Sequence, residues 1–146
     1  MARKQDISIE NNILHFVYND SDYLIDLDQL EMVYLYKDCL CFYENKRIMI
    51  KVEKDEISKI LTLILKQPNF IKCDFNRIVN TNLIEHIHIE AHKGTIGFQG
   101  KHGFVLTFKR GRTEEITVDS FAKAEKLYHE IDNKISEAEY LQQFGN

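Results

Sequence analysis

Alternation of apolar and polar residues through the first 52 residues constrains the fold of this chain more than any other feature. Tyr23, Ile25 and Leu27 illustrate it, since they occur at every second position. Successive side chains of a strand point to opposite faces, so period-two alternation rich in Val, Ile, Tyr and Phe favours β-strands. The strands predicted here cover residues 7–14, 23–27, 30–36, 39–43 and 48–52.

A helix is predicted near residues 55–66, where the spacing of apolar residues changes. Four of them recur at i, i+3, i+4 and i+7 and form one face: Ile57, Ile60, Leu61 and Ile64. Asp55 is predicted to cap the N-terminus by accepting a hydrogen bond from a backbone N–H. Pro68 is expected to end the helix because proline cannot continue the hydrogen-bond ladder.

The second half of the chain also has strands followed by a helix. Its strands are predicted at residues 70–73, 83–89, 95–98, 104–108 and 115–118. A C-terminal helix is predicted near residues 120–140, with one face formed by Phe121, Ala124, Tyr128, Ile131 and Ile135. The chain shows no βαβ alternation, so the predicted fold class is mainly β with two helices (α+β) and antiparallel sheets. A length of 146 residues suits a single domain, residues 1–146.

Charge is distributed unevenly along the chain. Residues 91–113 contain five Lys and Arg and no Asp or Glu, although the whole chain has a net charge of −4. Proteins that bind nucleic acids concentrate cations on one face, so this segment is a candidate for such a face. A solvated pair of hairpins would show the same pattern, and charge alone does not separate the two interpretations.

We expect neither a membrane span nor an N-terminal secretory signal from this sequence. Its longest largely apolar stretch, residues 60–65, is far shorter than the roughly 20 residues that cross a bilayer. The three cysteines are an odd number without the spacing of a disulfide framework. We therefore expect a cytoplasmic protein without a membrane partner.

Motifs of the common enzyme classes are absent from the sequence: there is no GxGxxG before a helix, no P-loop, no HExxH and no GxSxG. Cys39 and Cys41 share a strand face, as do His86 and His88, but neither pair has partners spaced to complete a tetrahedral metal site. We interpret the thiols as buried and the histidines as part of a solvated face. The prediction is a non-enzymatic protein without catalytic residues, metal or cofactor.

Residues 70–87 contain a dense pattern of aromatic, basic and apolar positions. The residues that carry it are Phe70, Lys72, Cys73, Ile78, Val79, Asn80, Ile84 and Ile87. This pattern resembles, without a gap, the signature of LytTR-type DNA-binding domains, and residues 27–31 resemble the opening of such domains. The resemblance extends over residues 7–118, with an extra hairpin after Ile89, and the C-terminal helix at 120–142 follows it.

The resemblance implies a β-rich fold that places loops in successive major grooves of DNA. The three contact regions of such domains would fall at residues 37–38, 74–76 and 118–120. In the second region Asp74-Phe75-Asn76 replaces a His-Arg-Ser-like triplet, and in the third an Asp-Ser pair stands where a basic residue is expected. Asp repels phosphate and Phe cannot donate to a base edge, so two regions lose their usual donors.

Other residues near these regions are predicted to contact DNA instead. They are Lys72, Asn76, Arg77, Lys109, Arg110 and Arg112. The amide of Asn76 is suited to a base edge and the cations are suited to phosphates.

Two functions follow from these observations, and the sequence leaves both open. The first is a stand-alone, LytTR-like bacterial transcriptional regulator that binds duplex DNA as a dimer or on repeated half-sites. The second is a non-enzymatic protein–protein interaction module, PH-like or degenerate LytTR-like, that has lost DNA binding. In that case the C-terminal helix or an exposed strand edge would bind a second copy or a partner protein.

Overall fold

A computed structural model describes residues 7–37, 39–44, 47–52, 54–73, 76–90, 102–118 and 120–144, with the backbone alone for residues 89, 90, 102, 121 and 138–144. The strands are β1 (Ser8–Glu10), β2 (Ile13–Tyr18), β3 (Ser21–Asp26), β4 (Met32–Tyr36), β5 (Cys39–Tyr43), β6 (Arg47–Lys51), β7 (Phe70–Lys72), β8 (Arg77–Asn80), β9 (Ile84–Glu90), β10 (His102–Phe108) and β11 (Thr113–Val118). The helices are α1 (Lys54–Leu65), a short 3₁₀ helix (Thr81–Leu83) and α2 (Phe121–Phe144). The chain divides into two compact units between Val79 and Asn80.

The first unit consists of two sheets and α1. One sheet has the order β1-β2-β3 and the other the order β6-β5-β4-β8-β7. Buried apolar residues of both sheets and the helix form one core, in which the ring centroids of Phe16 and Phe42 lie 5.9 Å apart. The helix contributes Ile57, Ile60 and Ile64. Burial of each such side chain contributes roughly 1.5–3 kcal/mol, so the apolar face predicted from the sequence is what holds α1 on the sheets.

Two tight turns connect the strands of the three-stranded sheet. Asn11 and Asn12 have φ values of 52° and 62°, and Asn19 and Asp20 have φ values of 51° and 61°. Asn and Asp adopt this left-handed conformation more readily than other residues with a side chain. Positive φ at both central residues is typical of a type I′ turn, whose twist matches that of the strands it joins. The turns therefore fix the register of this sheet.

The second unit is a three-stranded antiparallel sheet in the order β11-β10-β9, with α2 in contact with all three strands. The sheet buries Ile87, Phe104, Leu106, Ile116 and Val118, and the helix buries Ala124, Leu127, Ile131 and Ile135. The Ser120 hydroxyl accepts a hydrogen bond of 3.2 Å from the Lys123 N–H and so caps α2. In the described part of the chain, no helix is long and apolar enough to cross a bilayer.

The predicted fold class, β-rich with two helices, is confirmed. The first helix begins at Lys54, so Asp55 lies in its first turn and not at the cap. The second continues to Phe144, beyond the predicted end. Residues 81–83 form a 3₁₀ helix where a strand was expected to begin, because Asn80 caps them with its side chain. The strand predicted at 95–98, and with it the extra hairpin, lies outside the described residues.

Candidate nucleic-acid interface

Two of the predicted DNA-binding residues, Lys72 and Asn76, line one cleft in the first unit. The cleft has a volume of about 330 Å³ and lies beside α1, which adds Lys54 to its wall. Its floor includes Ile57 and Ile78, both of which belong to the core. The cleft thus combines two ammonium groups and a carboxamide with an apolar base.

The residue spacing of α1 determines which of its side chains line the cleft. Lys54, Ser58 and Thr62 follow one another at intervals of four and therefore form a polar row along α1. No described lining residue is acidic. Glu56, in the first turn of the same helix, lies 4.0 Å from the Lys59 ammonium, measured from Oε1 to Nζ. The cleft is therefore a positively charged surface lined by hydroxyl and amide groups, which is suited to phosphate oxygens.

Arg77 lies on the opposite face of the five-stranded sheet from the cleft. Successive side chains of a strand point to opposite faces, so the Arg77 side chain points away from the face that carries Ile78. Arg77 pairs across the ladder with Tyr34 of β4. Its guanidinium carbon lies 4.9 Å from the centroid of the Tyr34 ring, a cation–π contact. The structure therefore brings Lys72 and Asn76 together and separates Arg77 from them.

The backbone of Asn76 is held in place by the sheet. Its carbonyl accepts a hydrogen bond of 2.7 Å from the Leu35 N–H, and the Arg77 carbonyl accepts one of 2.9 Å from the Cys73 N–H. The first bond extends the β4–β8 ladder by one residue, and the second joins the end of β7 to the start of β8. Asn76 is exposed on this fixed backbone, which favours a defined direction for its side chain.

The other three predicted residues lie in the turn between β10 and β11 of the second unit. Lys109 and Arg110 are exposed at the tip. Arg112 is half-buried: its Nη1 lies 2.9 Å from Glu114 Oε2, and its guanidinium carbon lies 5.0 Å from the centroid of the Phe108 ring. Arg112 therefore orders the turn at whose tip Lys109 and Arg110 are exposed.

The conformation of this turn depends on Gly111. The glycine has a φ of 99°, and its N–H donates a 2.8 Å hydrogen bond to the Phe108 carbonyl. No atom lies within 4 Å of the position of an added Cβ, so a side chain would have room here. Glycine is required for the positive φ of the backbone and not for its small size.

We expect Gly111→Ala to lower the free energy of unfolding by about 1–2 kcal/mol, the cost of the left-handed conformation for a residue with a Cβ. Chemical denaturation measures this change. Gly111→Asn is the matched control and should lose less, because Asn tolerates positive φ better. An alanine variant as stable as the wild type would show that the turn relaxes without cost.

The contact regions implied by the family resemblance are described only in part. Lys37 is exposed at the β4–β5 turn with a φ of 55°, whereas Asp38, Asp74, Phe75 and Asp119 lie outside the described residues.

Asn80, which belongs to the matching pattern, is fully buried. Its side-chain oxygen accepts a hydrogen bond of 3.0 Å from the Asn82 N–H and so caps the 3₁₀ helix.

The cysteine and histidine pairs form no recognisable metal site. His86 and His88 are exposed on either side of the buried Ile87, as the alternation predicts. Among the described residues no three His, Cys, Asp or Glu side chains are grouped to hold a metal ion. Cys41 is buried, and burial raises the pKa of its thiol above the ordinary value, with a partial opposing effect of Arg47. A thiol with a raised pKa stays protonated at neutral pH and is a poor nucleophile.

Sequence analysis missed two features of these surfaces. The first is Lys54 in the cleft wall, although the interval of four between Lys54, Ser58 and Thr62 was visible in the sequence. The second is the pairing of Arg77 with Tyr34, which requires the register of two strands distant in the chain.

Comparison with known proteins supports the fold. No family model and no curated protein matches the chain. Among solved structures, a LytTr DNA-binding domain from Bacillus cereus matches with a TM-score of 0.55 and 14% sequence identity, over 84% of this chain and 97% of that one. The fold expected from the pattern at residues 70–87 is therefore confirmed: the chain has a LytTR-like α+β fold.

Proposed function

We propose that this protein binds duplex DNA as a LytTR-like regulator of transcription. The observation that carries the proposal is the likeness to a LytTr DNA-binding domain over nearly the whole length of that domain. The basic cleft supports it, because Lys72 and Asn76 lie in the β7–β8 segment where the resemblance implies a contact region.

The contacts we propose are divided between the two units. Lys54 and Lys72 neutralise phosphates at the cleft, and the carboxamide of Asn76 is the candidate for a base edge. Lys109 and Arg110 provide a second, independent group of phosphate contacts at the β10–β11 turn. Phosphate contacts position such a protein on DNA, while the amide supplies discrimination between bases. Arg77 and Arg112, which pack on aromatic rings, act by ordering their own segments.

A selection experiment tests the proposal. The full chain is incubated with a pool of random-sequence duplexes at low salt, the retained duplexes are sequenced, and the affinity of the enriched duplex is measured over a salt series. We expect enrichment of a defined sequence, repeated half-sites if the protein binds as a dimer, and a steep loss of affinity with rising salt. Failure to retain any duplex at low salt would refute DNA binding. Retention without enrichment would refute the regulatory role and leave only unspecific attraction.

A further inference from the structure

The five-stranded sheet has an outer face with a composition different from that of its core face. The core face carries Val33, Leu40, Phe42, Ile50 and Ile78, all buried. Strand alternation and the register of β4, β5, β6 and β8 place the intervening residues on the other face: the buried Met32, Cys41 and Val79, together with Tyr34, Tyr36, Cys39, Tyr43, Arg47, Met49, Lys51 and Arg77. We call this second set the outer face.

Aromatic rings and cations form a continuous row along one end of the outer face. The rings of Tyr34 and Tyr36 are stacked, with centroids 6.2 Å apart and planes at 29°. At one end of the row the Arg77 guanidinium lies 4.9 Å from the Tyr34 centroid, and at the other the Lys37 ammonium lies 5.5 Å from the Tyr36 centroid. Two cations thus bracket two stacked rings.

The outer ring of this row is accessible. Tyr36 is 49% exposed, and Met49, two strands away on the same face, is also 49% exposed. Large apolar side chains exposed beside cations are suited to a partner that offers both apolar surface and negative charge. Solvation of the fold alone gives no reason for an aromatic ring at this position.

The charge of the sheet restricts the chemistry of that partner. The five strands contain four Lys and Arg and no Asp or Glu. Three of these cations, Arg47, Lys51 and Arg77, lie on the outer face by register. A partner that offers flat apolar rings together with repeated negative charge is complementary to such a surface. Single-stranded nucleic acid has both properties, since its bases stack on aromatic side chains while cations follow its backbone.

We propose that the outer face binds a single-stranded segment of nucleic acid, with a base stacked on Tyr36 and phosphates contacted by the surrounding lysines and arginines. A duplex does not fit this face equally well, because its bases are already stacked on one another and their flat sides are inaccessible. The face is also distinct from the basic cleft, which opens on the core side of the sheet at Ile78. This binding is therefore independent of duplex binding through the cleft.

The experiment uses the full chain and a fluorescently labelled oligo-dT strand of about ten nucleotides, a length within the site sizes of single-strand binders. Anisotropy of the label measures affinity. Because the chain contains seven Tyr and no Trp, stacking on a tyrosine is also seen directly as quenching of the protein's own emission. We expect Tyr36→Ala to weaken binding on the order of tenfold or more, and Tyr36→Phe to retain it, since the ring and not the hydroxyl stacks. The matched control is Leu24→Ala, which removes another exposed apolar side chain, 66% exposed on β3, and should have no effect.

Each other outcome overturns the proposal. Equal affinity of wild type and Tyr36→Ala, or loss in Tyr36→Phe as well, would exclude stacking on this ring. Equal competition by inorganic polyphosphate, which has the charge but no bases, would reduce the face to a general anion surface. Self-association by light scattering that Tyr36→Ala abolishes would assign the face to a second copy of the chain.

Circular dichroism confirms that each variant is folded, and a variant with both cleft lysines replaced should bind oligo-dT normally. Failure of duplex binding and failure of single-strand binding are thereby separated.

Discussion

Replacement of both Lys54 and Lys72 by alanine is expected to weaken duplex binding by one to two orders of magnitude at a salt concentration of about 0.1 M. Each lysine that contacts a phosphate releases close to one counterion, so its loss reduces the slope of log K against log salt by roughly one. The double variant should therefore lose about two units of slope. Measurement of the affinity for the enriched duplex at four or five salt concentrations gives both quantities.

Lys59→Ala is the matched control for this prediction. Lys59 is an exposed lysine on the same helix, but it lies outside the cleft and is 4.0 Å from Glu56. Its removal changes the net charge of the chain by the same amount as each single variant and should leave the slope almost unchanged. Equal slopes for the control and for the variants at Lys54 and Lys72 would mean that net charge, and not the cleft, attracts DNA.

Asn80→Ala is expected to lower the free energy of unfolding by about 1–3 kcal/mol, the cost of losing the partner of a buried polar group. The Asn80 side chain is fully buried, and its oxygen accepts the 3.0 Å hydrogen bond from the Asn82 N–H. Alanine leaves this N–H without its acceptor and also leaves a space in a packed region. Urea unfolding followed by circular dichroism measures the change.

Asn82→Ala provides the comparison, because it removes an exposed side chain and keeps the backbone N–H that Asn80 binds. It should be nearly as stable as the wild type. A duplex affinity of Asn80→Ala that falls while the free energy of unfolding is unchanged would assign Asn80 to DNA contact and contradict the structural role.

The fold follows from local patterns to a large degree. The apolar spacing of Ile57, Ile60 and Ile64 predicts α1 because a helix brings those residues to one face wherever it packs. Strands β4 and β5 were predictable as short runs rich in Tyr, Val, Leu and Phe, whereas β8 was not among the predicted strands. The 3₁₀ helix was not, because it depends on a hydrogen bond from a buried side chain, and residue types alone do not show which Asn is buried.

The candidate site was less predictable, because it depends on contacts between distant segments. Lys72 and Asn76 were selected for their positions in a family-like pattern, and the structure places both in one cleft. Lys54 joins them only because α1 lies beside β7, which no local pattern shows. For Arg112, a Glu two residues later in the chain was a visible sign of an ion pair. The assignment of these residues to DNA stays a prediction.

The cations of β6 and β7 also affect the tendency of the sheet to aggregate, because of where these two strands lie. In the described part of the chain these strands form the two edges of the five-stranded sheet, so their outer backbone groups are available to a strand of another molecule. Charged side chains on edge strands oppose such pairing, and β6 carries Arg47 and Lys51 while β7 carries Lys72. The side chains that we propose for contacts with nucleic acid therefore also oppose aggregation of the sheet. Substitutions that remove several of them at once would therefore favour intermolecular β-pairing.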